Sequence, residues 1–395
     1  MDQLPADTQA TLLLVSRLGG SDVKPLTAAE YNRLAKDLHQ RGQRPADLIR
    51  GDRQSYVIDA KRLDGLLSRG AALALAVDRW AQAGIRVVSR SESTYPSLLK
   101  TKLRSAASPL IFFGGDLTLL ERDAICVVGS REPTDEGVAF AKAFGGACAR
   151  NGFAVVSGDA RGVDREAMTA SLEAGGHAVG VLAEGLSSAV LVRRNREPIL
   201  QKRLLLLSPY DPDARFTVPH AMDRNRYLYA LSQAAVIVDS DTSGGTWAGA
   251  LENLKHKWTP ALVRQGAKTG PGNPKLAELG LMPVDAEHVR TSSLSELIAQ
   301  AREHFEARGP DLPFEDTAPK SAKPQNNEDA DELFEMFLAR LRKLLTQRPR
   351  SEAEIAAHFK LDARQVKRWL EAAQGQHGIT RSGDELMWRD GSRAA

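Results

Sequence analysis

The sequence predicts an α/β protein whose centre is a parallel sheet with helices on both faces. Two observations carry this. Between about residues 110 and 285, apolar runs rich in Val, Ile and Leu alternate with helical stretches. Runs that are apolar throughout, rather than at every second position, belong to strands buried on both faces. Several runs also end in a glycine-bearing turn that leads into a helix, the handover expected of a strand–helix–strand chain. A helical region precedes this core and a small helical unit follows it.

Taken in order, residues 1–84 read as helices. Leu12, Val15 and Leu18 form one apolar stripe, and Thr27 with Glu30 has the spacing of a capping box. A further helix is expected over residues 62–84, ending at Gly84 as a C′ glycine. Ile85–Val88 is a short strand-like run, and SESTYPSLLK leads from it to PLIFFGG at 109–115. Strand-like runs then follow at 124–130, 153–158, 177–183, 203–209, 234–240 and 259–264. Helices are expected near 136–150, 164–174 and 247–256. Residues 85–308 are therefore read as one α/β domain after a helical region, 1–84. Residues 309–330, rich in Pro, Asp, Asn and Lys without an apolar period, read as a flexible linker. Residues 331–395 form the last unit.

Bulk composition narrows the function. A chain of 395 residues suggests two or three domains. A net charge of only +3 excludes a histone-like polycation, so any nucleic-acid contact must come from local basic patches. The two cysteines, Cys126 and Cys148, sit in apolar or helical patterns and read as reduced core thiols. The sequence has no CxxC or Cys/His cluster, so no metal is expected. The first apolar run, TLLLV, is too short for a leader or a membrane span, which points to a cytoplasmic protein without a membrane partner.

Four segments carry the chemistry. Gly129-Ser130-Arg131 follows the 124–130 run. Ser157-Gly158, with Arg161 and Gly162 close behind, follows the next. Arg224-Asn225-Arg226 is expected to open a helix, and Ser243-Gly244-Gly245-Thr246 to open another. Loops after the carboxyl ends of parallel strands gather at one edge, so these segments should meet in one crevice. Their residue types suit an anion. Glycine allows close backbone approach, helix N-termini present N–H groups, and guanidinium groups grip phosphate in bidentate fashion. Each has a structural alternative: Arg161 could pair with Asp164, Arg131 could pair with a carboxylate such as Asp164, and Asn225 could cap its helix. The basic run Val192–Arg196 reads either as a second patch or as a solvated loop.

The succession GSR, SGxARGxD, RNR and SGGT resembles that of the DNA-processing protein A (DprA/Smf) family, as does GIRVVSRSESTYPSLLK…PLIFFGG before it. The resemblance covers about residues 84–285. It implies a Rossmann-like domain that binds single-stranded DNA in the crevice and forms a homodimer. It further implies loading of a RecA-type recombinase in recombination or natural transformation. No cofactor and no catalytic residue come with it. The sequence departs from the family pattern at Met168, where a His is usual, in the 184–200 segment, in SGGTWAGALENLK and in VRQGAKTGPGN. An alternative is a sensor or hydrolase of a small nucleotide, with Glu252, Asp164, Glu166 and Glu184 as the nearby carboxylates.

The last unit reads as helix, helix, turn, helix and hairpin, with Ser351 and Glu354 as a capping box and Ser-Gly-Asp as the hairpin turn. It resembles a winged helix-turn-helix. Its third helix would present Arg364, Lys367 and Arg368, either to duplex DNA or, with that face merely solvated, beside a protein partner.

Overall fold

The computed structural model describes residues 4–19, 23–51 and 56–307. Of the last unit it describes 338, 341–342, 344–345, 348–359, 366, 369–370, 373, 379–381 and 387–390. The chain divides into two compact units, 1–312 and 313–395.

The first unit opens with α1 (Ala6–Val15), α2 (Ala28–Gln40), the single turn α3 (Asp47–Arg50), α4 (Ala60–Leu67) and α5 (Gly70–Gln82). Thr27 and Glu30 form the expected capping box on α2, each side chain bonding the other's backbone N–H. The helix expected over 62–84 is broken at Ser68-Arg69. The buried Arg69 side chain sits at that break and donates to the carbonyls of Leu13, Ser16 and Leu66, tying it to the end of α1. Gly84 then turns the chain at φ 76°.

The α/β part continues with β1 (Ile85–Ser89), α6 (Ser97–Leu103), β2 (Leu110–Gly114), β3 (Ala124–Val128), α7 (Asp135–Arg150), β4 (Ala154–Ser157), α8 (Val163–Glu173) and β5 (His177–Val181). Next come α9 (Leu186–Ala189), α10 (Arg193–Leu200), β6 (Leu204–Ser208), α11 (Val218–Ala230), β7 (Ala234–Ile237), α12 (Gly244–His256) and β8 (Ala261–Arg264). The last elements are α13 (Gly272–Glu278), β9 (Met282–Val284), α14 (Ala286–Thr291) and α15 (Leu294–Ala307). These strands form one nine-stranded sheet in the order β1-β2-β6-β5-β4-β3-β7-β8-β9.

Seven strands, β6 to β9 in that order, run parallel, whereas β1 pairs antiparallel with β2, and β2 antiparallel with β6. The sheet is therefore a parallel Rossmann-like core extended by an antiparallel pair, which the sequence reading did not anticipate. One face of the sheet packs Ile125, Val127 and Val155 with Phe140 and Phe144 of α7 and with the leucines of α1, α2 and α4. The other packs Cys126, Val156 and Ile237 with Tyr227, Tyr229 and Leu254. Both cysteines are buried free thiols. Burial raises their pKa.

In the second unit, β10 (Arg350–Ser351), α16 (Glu352–Phe359), β11 (Ile379–Arg381) and β12 (Met387–Asp390) are described. The strands form a sheet in the order β10-β12-β11. Glu354 accepts the Ser351 backbone N–H at 3.0 Å and donates its own N–H to the Ser351 hydroxyl at 3.3 Å, the capping box expected there. Ile355, Val366, Leu370 and Trp388 share a core. The expected linker and the side chains of Arg364, Lys367 and Arg368 lie outside the described residues.

Candidate phosphate-binding crevice

The chain leaves β3 toward β4, β5 and β6 on one side, then returns to build β7, β8 and β9 on the other. The order therefore reverses between β3 and β7. At such a switch point the connections after the two strands diverge and leave a crevice beyond their carboxyl ends. A crevice of about 330 Å³ lies there, between the loop after β3 and the start of α12.

Nine of the residues singled out from the sequence line it: Gly129, Ser130 and Arg131 after β3; Arg224 and Asn225 on α11; and Ser243 to Thr246 at the start of α12. Arg131 is exposed, and its guanidinium lies 5.3 Å from the Phe216 ring centroid. The Ser243 side chain makes no cap hydrogen bond and Gly244 takes φ 83°. The first N–H groups of a 13-residue helix have no intrahelical partner, and with the helix dipole they favour an anion. The Ser130 hydroxyl accepts the Glu132 N–H at 3.0 Å, which leaves its own proton to donate.

Other polar groups brace the crevice. The Thr246 hydroxyl donates to the Gly129 carbonyl at 3.1 Å, and the Asn225 amide to the Gly245 carbonyl at 3.0 Å. Thus α12 is tied both to the loop after β3 and to α11. On the far side, Asp239 and Arg264 form a buried ion pair at 2.5 Å. Asp239 also accepts the Gly270 N–H at 3.2 Å, which clamps the following loop beneath Ser240.

Five singled-out residues do not line the crevice. Ser157 is fully buried, and its hydroxyl donates to the Val127 carbonyl at 2.6 Å, joining β4 to β3. Gly158 and Gly162 act through close approach. A Cβ at Gly158 would fall 1.8 Å from the Arg224 guanidinium, and one at Gly162 (φ 89°) 2.4 Å from the Ser130 carbonyl oxygen. Arg161 is exposed and lies 4.0 Å from Glu132, so it neither lines the crevice as expected nor takes the alternative pairing with Asp164. Arg226 pairs with Asp223 at 2.6 Å and lies over the Tyr227 ring.

The RNR segment departs most from expectation. It does not open a helix: α11 begins at Val218, capped by the Thr217 hydroxyl. Arg224 and Arg226 lie inside that helix, so their backbone N–H groups are used and only side chains remain. Residues two apart on a helix point in different directions, which is why only one of the two arginines reaches the crevice. The 193–200 segment is likewise the helix α10, not a loop.

Asp164 is the lining residue that sequence reasoning undervalued. It is buried, accepts the Gly158 N–H at 3.2 Å, and lies beside Arg224. Burial pushes its pKa up to about 6, against the opposing pull of Arg224 and the Gly158 and Gly129 N–H groups. Burial in turn lowers the pKa of Arg224, with Asp164 acting to raise it. Phe216, Val218 and Met222 also line the crevice and give it an apolar lip. No period or spacing marked them: Phe216 lies in the loop, Val218 is the first residue of α11 and Met222 sits within that helix. Of the four carboxylates of the hydrolase alternative, Asp164 lines the crevice and Glu252, Glu166 and Glu184 do not; the pKa of Glu252 is raised by burial and held back by Arg226.

The match to the DNA recombination-mediator protein A family spans residues 86–273. The chain is 30% identical over 179 residues to the DNA processing protein DprA of Bacillus subtilis, which covers 45% of this chain and 59% of that protein. It is 34% identical over 159 residues to a putative DNA processing protein DprA of Mycobacterium tuberculosis, covering 37% and 39%. The chain thus spans less than two thirds of the length of these relatives. The crystal structure of DNA processing protein A from Streptococcus pneumoniae superposes with a TM-score of 0.55 at 21% identity, over 68% of this chain and 94% of that one. At that identity the likeness concerns the fold.

Proposed function

Residues 86–273 belong to the DNA recombination-mediator protein A family, and on that premise we propose that the crevice binds single-stranded DNA by its phosphodiester backbone. The observation that carries the proposal is the meeting of an exposed Arg131 with the open N-terminus of α12 at the switch point between β3 and β7. Both favour anions, and neither requires a particular base. The Phe216 ring at the lip supplies an apolar face on which an unpaired base can stack, a contact worth about 1–3 kcal/mol. A crevice of about 330 Å³ takes one unpaired nucleotide at a time, which favours a single strand over a stacked duplex.

In this reading Gly129, Ser130, Arg131 and Ser243 to Thr246 touch the strand, with the exposed Arg161 as an outer contact, whereas the buried Arg224, with Asn225, Ser157, Gly158, Gly162 and Arg226, shapes the loops around it. The protein holds the backbone rather than performing chemistry on it. It acts in DNA processing, recombination or transformation in the cytoplasm, as a homodimer, with a RecA-type recombinase as partner. The division into a helical region (1–84), an α/β domain (85–308), a linker (309–330) and a winged helix-turn-helix (331–395) belongs to the same proposal. So does an auxiliary duplex contact through Arg364, Lys367 and Arg368.

The test is fluorescence anisotropy with matched single-stranded and duplex oligonucleotides over a salt series. Tighter binding of the single strand, weakening steeply as salt rises, is expected because phosphate contacts release counterions. Equal affinity for both, with a flat salt response, would refute the proposal.

A further inference from the structure

A second cavity lies behind the crevice, where the helical region meets the end of β6. It is about 700 Å³, a size that suits a small-molecule ligand. The two spaces share a wall. Phe216, Val218 and Met222 face the crevice, whereas Arg215, Thr217 and His220 face the second cavity. Thr217 is extended (φ −139°, ψ 152°), and successive side chains of extended backbone point to opposite sides.

Several features separate this cavity from a packing gap. Trp80 lines it at 5% exposure, and its indole N–H has no hydrogen-bond partner. Buried indole N–H groups usually find an acceptor. The His220 Nδ1 atom is buried and unpartnered too. The His220 ring lies flat on Tyr210, with centroids 3.9 Å apart and planes 12° apart, so the two form an aromatic plate. Asp211 brings a carboxylate, one oxygen of which accepts the Arg17 N–H at 2.9 Å. The exposed Arg17 and Arg215 add positive charge at the wall. A planar ring with hydrogen-bonding edges would use the plate, the indole donor and the carboxylate acceptor. An attached phosphate would use the guanidinium groups.

We propose that this cavity binds a nucleotide unit, meaning a planar base with its phosphate. The unit comes either from a free mononucleotide or from a strand that crosses the 215–217 wall out of the crevice. Only the strand source rests on the crevice being a single-strand site.

The experiment uses the full chain. Calorimetry with the four deoxynucleoside monophosphates is run beside anisotropy with oligothymidylates of roughly 6 and roughly 30 nucleotides, at or below and above the span of one binding groove. Trp80→Phe removes the indole donor, Arg215→Ala removes a rim charge, and Arg131→Ala reports on the crevice. If Trp80→Phe fails to fold by circular dichroism, Arg215→Ala alone decides. A free-nucleotide ligand gives saturable monophosphate binding, weakened about tenfold by Arg215→Ala and Trp80→Phe and unchanged by Arg131→Ala. A strand ligand gives the same loss with the long oligonucleotide only. Two outcomes overturn the proposal: no monophosphate binding with both oligonucleotides indifferent to the two variants, or monophosphate binding that is lost in Arg131→Ala and kept in Arg215→Ala. If wild-type protein binds neither oligonucleotide, the crevice reading fails and the monophosphate arm still decides the cavity.

Discussion

Asp164 and Arg224 are buried together beneath the crevice, 6% and 5% exposed, one at the start of α8 and the other within α11. Arg224 also donates to the Val181 carbonyl at 2.5 Å, and Asp164 holds the Gly158 N–H. The pair thus joins α8, α11, β5 and the loop after β4. Removing one partner of such a pair strands the other charge, a loss of about 3–5 kcal/mol. Asp164→Ala should therefore lower the urea midpoint of unfolding sharply. An unchanged midpoint would show that Arg224 finds its compensation elsewhere.

The position of Asp164 also makes the crevice sensitive to pH. Its folded pKa is raised to about 6 from 3.8. The folded state therefore binds this proton more tightly than the unfolded chain does. The resulting stability is fully present below about pH 3.8 and is lost as pH rises through about 6. A phosphate in the crevice prefers the neutral acid, so single-strand affinity should rise as pH falls through 6. Asp164→Asn should flatten that dependence relative to wild type. Parallel pH profiles for the two proteins would contradict this.

Gly158 is required by the Arg224 side chain. Because a Cβ there would fall 1.8 Å from the guanidinium, Gly158→Ala must displace a buried cation. A loss of about 1–3 kcal/mol is expected, the usual range for overpacking a core. Thermal melting within a degree of wild type would mean that the guanidinium moves freely.

The two arginines of RNR should behave differently. Arg226 pairs with Asp223 away from the crevice lining. Arg226→Ala should lower melting temperature while the folded protein keeps single-strand affinity within about twofold, a change below ~0.5 kcal/mol. A tenfold loss of affinity without a change in melting would place Arg226 on the ligand.

Much of this architecture is legible in the residues. The strand runs are apolar at every position because both faces of the sheet are covered, and the eight runs read as strands form strands. β9 escaped because Met282-Pro283-Val284 is too short to show a pattern and only Val284 is fully buried. The antiparallel pairing of β1 and β2 was not legible, since direction depends on how the chain returns to the sheet edge. At the site, the glycine-bearing turns after β3 and before α12 identified the crevice. The RNR segment misled because Asn225 is a residue type that can cap a helix, whereas the cap is Thr217 with Pro219 two residues into the helix. Ser157 looked like a ligand donor because sequence alone does not tell a buried hydroxyl from an exposed one.

The most direct measurement is single-strand affinity of Arg131→Ala, by oligonucleotide anisotropy, with melting temperature taken on the same preparation. Arg131 is exposed at the crevice mouth, so its removal should leave stability unchanged. Losing a charge-assisted phosphate contact costs about 1.5–3 kcal/mol, or about ten- to a hundred-fold in affinity. Arg364→Ala, in the separate second unit, should have a far smaller effect. A folded Arg131→Ala protein that binds single strands as tightly as wild type would contradict the proposed site.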